Sequence, residues 1–182
     1  ERHMQVVYLV LTLVVFRLIW GVVGSRPARF TSFVPTPGWT AGYVRALARG
    51  RPPSTVGHNP LGSILIYLML ILVAFQATTG LFANDAIFSE GPLAKLVSDD
   101  TSDLLTDWHT TSFWVLVGAI AVHVVANTLY EVVFRQPLIR AMITGTKPIP
   151  ADAPAPRLRP LWWAVPALAV AAGVVWYVVT QV

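Results

Sequence analysis

Four stretches of this chain stay apolar for about twenty residues or more, at 4–24, 61–83, 108–134 and 161–182. A helix rising about 1.5 Å per residue crosses the ~30 Å hydrocarbon core of a bilayer in roughly 20 residues. Lipid offers no hydrogen-bond partner to an open strand edge, so all four are expected to be transmembrane helices. The expected fold is therefore all-α, an integral membrane helical bundle forming one membrane domain. Composition agrees: 12% of the 182 residues are charged, against about 25% in a soluble domain, and the mean hydropathy is +0.62.

The segments between these stretches sort by charge. The first, 25–60, carries Arg26, Arg29, Arg45, Arg49 and Arg51 and no acid. The third, 135–160, carries Arg135, Arg140, Lys147, Arg157 and Arg159 against Asp152. The second, 84–107, carries Asp85, Glu90, Asp99, Asp100, Asp103 and Asp107 against Lys95. Lys and Arg stay on the cytoplasmic side, so both basic loops are expected there, with the acidic loop and the two termini outside. The basic pI of about 9.9 then has a topological origin. The lipid bilayer, and not nucleic acid, is the expected partner. With no cysteine, disulfides, thiolate metal sites, iron–sulfur clusters and covalently attached c-type haem are excluded.

Loop punctuation supports these boundaries. Pro35, Pro37 and Gly38 are expected to interrupt the first basic loop, with a short interfacial helix over 42–48 ended by Pro52 and Pro53. Asn59 before Pro60 predicts a capped helix start. Pro148, Pro150, Pro154, Pro156 and Pro160 predict an extended cytoplasmic linker over 148–160 that sets the fourth span apart.

Ionisable groups within a membrane mark function. His109 and His123 are fourteen positions apart, which on a helix leaves them about 40° apart in direction and about 21 Å apart in depth. His3 and Arg17 share the same spacing in the first span. The first and third spans run antiparallel. His3 is thus expected level with His109 at the outer end, and Arg17 level with His123 at the inner end. Two imidazoles facing each other from different helices suit a non-covalent b-type haem. His3 and His109 form the expected axial pair. His123 is expected to hold a second haem whose partner ligand is not in this sequence. Arg17 is expected either to pair with a haem propionate or to snorkel to the surface. The imidazoles are too spread out for a zinc centre. His58 reads as a turn or capping residue, with contact near an inner haem as the alternative. Gln76, Thr78, Thr79 and Asn127 read as helix–helix hydrogen-bonding groups, with a quinone head-group site as the functional alternative.

The run Phe16-Arg17-Leu18-Ile19-Trp20-Gly21 with Gly24-Ser25-Arg26, the loop Gly57-His58-Asn59-Pro60-Leu61-Gly62 and the paired histidines of the third span resemble the bacterial cytochrome b561 family. That family includes the di-haem cytochrome b subunits of membrane-bound nickel–iron hydrogenases. The resemblance covers about residues 1–147 and implies a four-helix core binding two b haems. It aligns His3 with the family's second-helix ligand and His109 and His123 with the fourth-helix pair. The family's first helix has no counterpart here, so one core helix and the ligand opposite His123 are expected upstream of Glu1. The span at 161–182 is then an addition to the core.

The resemblance implies a protein of the bacterial inner membrane that moves electrons between membrane quinone and a redox partner. That partner would be a periplasmic cytochrome or a dehydrogenase or hydrogenase subunit. The acidic loop is a candidate dock for it. A homodimer is a further possibility. The alternatives are a superoxide:quinone oxidoreductase of the same fold and, from a different class, a helical membrane anchor without redox work. Stand-alone hydrolytic or group-transfer chemistry is not expected.

Overall fold

A computed structural model of the chain describes residues 2–55, 57–85, 90–146 and 158–181. These form six α-helices: α1 (Arg2–Val23), α2 (Pro37–Ala48), α3 (Pro60–Phe82), α4 (Asp99–Val132), α5 (Leu138–Thr144) and α6 (Ala164–Gln181). Among the described residues there is no strand, only an isolated bridge between Asn84 and Glu90. The four expected spans are all helical and long enough to cross a bilayer, the fourth entered through a 3-10 turn at Leu161–Trp163.

The helices pack in a row. α4 lies along α3, α3 also touches α1, and α1 lies along α6. The buried residues of α6 are Ala167, Ala171 and Val175, four apart, so one small-residue stripe lets two helix backbones approach closely. Most other large apolar side chains of the spans face outward; Val122, Val132 and Trp114 are 60%, 70% and 72% exposed. In lipid that is the stable arrangement, since hydrocarbon tails are as apolar as the side chains they meet.

Local chemistry sets the ends. Asn59 Oδ1 accepts from Gly62 N at 2.7 Å and Pro60 takes the first turn of α3, as expected. The first basic loop differs from expectation. Pro35, Pro37 and Gly38 do not simply interrupt it, because Thr36 caps α2 and Pro37 opens it. Proline at a first helical position loses no intrahelical bond.

The third span also begins earlier than 108. Ser98 accepts from Thr101 N, and Asp99 and Asp100 fill the first turn, where the helix dipole favours negative charge. The 34 residues of α4 extend about 50 Å, so its acidic end projects past the apolar core. The prolines at 148–156 lie outside the described residues.

Asn84 fastens α3 to α4. Its side-chain amide donates to Ser102 Oγ at 2.6 Å, its backbone N–H donates to Thr106 Oγ1 at 3.0 Å, and Ser102 Oγ donates to Phe82 O at 2.6 Å. Ser102, Thr106, His109 and Ser112 lie at steps of four, three and three, so this polar stripe turns one face of α4 toward α3. The clasp thereby sets the register in which His109 meets its neighbours.

Candidate site at the acidic end of the bundle

His109 is held in a small polar cradle on α3. Its Nδ1 lies 3.0 Å from the backbone oxygen of Gln76. A carbonyl can only accept, so Nδ1 carries the proton and Nε2 of the neutral ring presents its lone pair. The Gln76 side-chain amide nitrogen lies 3.1 Å from that Nε2 and 3.2 Å from Nδ1, so it sits beside the ring, off the Nε2 lone-pair axis. Ser112 Oγ donates to Gln76 Oε1 and fixes the amide's orientation. Thr79, 3% exposed, donates to Phe75 O at 2.9 Å and lies 3.4 Å from Nδ1. Gly80 makes the close approach possible, because a Cβ there would stand 2.8 Å from His109 Cε1.

His3, at the start of α1, comes to the same end of the bundle. Its ring centre lies 6.3 Å from that of His109, with the planes at 86°. Two metal–imidazole bonds of about 2.0 Å each, with about 1.1 Å more from nitrogen to ring centre, span about 6.2 Å. A single metal ion held between two imidazoles needs about this separation, with a nitrogen of each ring turned toward it. Among the described residues there is no cluster of three or more His, Cys, Asp or Glu suited to a metal ion, so the site is a two-imidazole pair. The residues that the sequence reading left as a bonding or quinone cluster, Gln76 and Thr79, are the immediate surroundings of His109.

The other candidates stand elsewhere. His123, further along α4, receives a hydrogen bond at Nε2 from the Asn127 amide at 3.1 Å. Among the described residues Asn127 thus bonds within its own helix. Arg17 donates to Ala28 O at 3.1 Å and stacks its guanidinium 4.6 Å over the Phe30 ring. Phe30 lies against Gly21, where a side chain would collide with it, and its carbonyl accepts from Tyr67 Oη at 2.9 Å. The His58 ring packs edge-on to Phe33 at 4.9 Å, while Asn59 does the capping. Tyr43 on α2 donates its hydroxyl to that of Tyr130 on α4 at 3.1 Å. Sequence reasoning missed Gly80, Ser112 and this tyrosine pair. Gly80 alone left a trace, as a helix-weakening residue inside an otherwise aliphatic span.

Four helices long and apolar enough to cross a bilayer, with imidazoles from two of them 6.3 Å apart, make a candidate membrane cytochrome. The comparisons define it further. A family model described as prokaryotic cytochrome b561 matches residues 1–145, leaving α6 beyond the match. A probable Ni/Fe-hydrogenase B-type cytochrome subunit of Rhizobium leguminosarum bv. viciae is 27% identical over 167 residues, covering 80% of this chain and 66% of the relative. Its counterpart in Bradyrhizobium diazoefficiens is 29% identical, covering 72% and 59%. That of Azotobacter vinelandii is 28% identical, covering 76% and 63%. The chain thus spans about two thirds or less of the length of the curated relatives it matches. No solved structure matches. The chain belongs to the prokaryotic cytochrome b561 family; it is a multi-pass membrane cytochrome of the b type.

Proposed function

We propose that this chain carries electrons across or along the bilayer between membrane quinone and a redox partner. The relatives' names point to a nickel–iron hydrogenase as that partner. The observation that carries the reading is the 6.3 Å separation of the His3 and His109 rings, which supports both as the residues that would hold one haem b. Haem bound there would supply a reversible one-electron carrier.

The chain's own residues do the rest. The Gln76 carbonyl holds the His109 proton on Nδ1 and aims Nε2 outward, a second-layer bond that also raises ligand basicity. Gly80 leaves room for the ring. The Gln76 amide lies beside the ring and leaves the Nε2 lone-pair axis open. His123 would hold a second, deeper haem together with a residue from a further segment or subunit. Arg17 has one N–H on Ala28 and offers others to a propionate at the basic end. Basic loops face the cytoplasm and the acidic end of α4 faces outward, where its charge speeds encounter with a basic docking surface. With Gln76 and Thr79 engaged at His109, quinone is expected to approach a haem edge from the lipid side.

The test is the visible spectrum of the purified protein in detergent after dithionite reduction. Sharp reduced b-haem bands that weaken in both His3→Ala and His109→Ala are expected, together with reoxidation by added quinone. A colourless, fully helical wild type would instead support the non-redox anchor. Bands untouched by either substitution would remove the ligand assignment.

A further inference from the structure

We propose that the basic end of the α1–α6 pair holds the phosphate of one anionic phospholipid. A cavity of about 800 Å³ lies there. Arg26 and Arg29 line it from the turn after α1, Arg159 from the approach to α6, together with Thr31 and Ser32. The two ends are tied, since Arg159 N donates to Ser25 Oγ at 3.0 Å. Arg29 is pre-oriented by Nε donating to Gly24 O at 2.9 Å, and Arg159 by stacking 4.8 Å over Trp163.

Three arginines line this one cavity, and among the described residues no carboxylate is paired to any of them. Their mutual repulsion calls for an anion, and guanidinium forks with hydroxyl donors match phosphate oxygens. Depth selects the source of that phosphate. Trp20, Trp162 and Trp163 stand at this level, and tryptophan marks the interface between headgroup and hydrocarbon. Leu158 lines the cavity and Leu161 beside it is 84% exposed, giving acyl chains a surface that a soluble phosphate would leave bare. Basic pockets between transmembrane helices commonly take such headgroups.

The test uses the purified haem-containing protein in phosphatidylcholine nanodiscs with a minor fraction of phosphatidylglycerol or cardiolipin. Lipid retained through detergent exchange is counted by native mass spectrometry. About one anionic lipid per chain is expected on the wild type, with retention falling roughly fivefold for each arginine removed in Arg26→Gln and Arg159→Gln. The Arg26→Lys, Arg159→Lys double variant keeps charge and is expected to retain most of the lipid, which separates lost binding from lost folding. Anionic lipid held no better than phosphatidylcholine, or held equally by the double glutamine variant, would overturn the proposal. So would millimolar inorganic phosphate displacing the anionic lipid completely, because the site would then belong to a soluble anion.

Discussion

The chemistry around His109 depends on a residue with no side chain. Gly80 gives the imidazole its place, and a methyl group there would force the ring away from the Gln76 carbonyl. Overpacking of this kind costs about 1–3 kcal/mol, so Gly80→Ala is expected to weaken haem retention by roughly 5- to 150-fold. Haem content after gel filtration reads this, with far-UV circular dichroism unchanged. Gln76 is expected to behave differently. Its backbone carbonyl holds the ring, while its side-chain amide lies off the Nε2 lone-pair axis and is not needed for it to bind iron. Gln76→Leu should therefore retain haem at least as well as the wild type, and a colourless Gln76→Leu protein would show that the amide supports the bound state. The sequence made the histidines legible, because ionisable groups stand out against an apolar background and a fourteen-residue interval fixes a common face. It could not reveal the cradle. Which residue of α3 lies against His109 is decided by register between two helices, set here by Asn84, Ser102 and Thr106.

Among the elements, the apolar spans were readable because hydropathy and helix length answer to one constraint, the thickness of the membrane. Two features that hydropathy does not register were not. The first turns of α4 are acidic and look like loop, yet Ser98 and the dipole-matched Asp99 and Asp100 start the helix nine residues before Trp108. Pro37 looks like a breaker until Thr36 caps the turn it begins. α2 is then held against α4 by the hydroxyls of Tyr43 and Tyr130. Burial, with the hydrogen bond to Tyr130, pushes the Tyr43 phenol well above its ordinary range. A phenol raised in the folded state contributes stability that is complete below its unfolded value of about 10 and is lost as pH climbs past it. Thermal unfolding in detergent between pH 9 and 11 should show this decline in the wild type and a shallower one in Tyr43→Phe. At neutral pH that variant should lose about 1 kcal/mol. Parallel pH profiles would mean that the pair does not hold α2.

Across the whole molecule the two ends are unequal. The acidic end has a facing pair of imidazoles. Deeper along α4 there is one imidazole, whose Nε2 is occupied by an amide from its own helix. An axial pair confers far more than a single ligand does, because the second bond forms within a site the first has already assembled. The 182-residue chain should therefore purify with about one haem, lost on His109→Ala and indifferent to His123→Ala. The relatives it matches are longer. In a protein carrying an additional helix with a histidine at the depth of His123, the ratio should rise to about two, and His123→Ala should return it to one. Pyridine haemochrome against amino-acid analysis measures the ratio directly. A ratio near two on this chain alone, halved by His123→Ala, would mean that His123 already has its partner, from a second copy or from within these residues. The deeper site would then need no added helix.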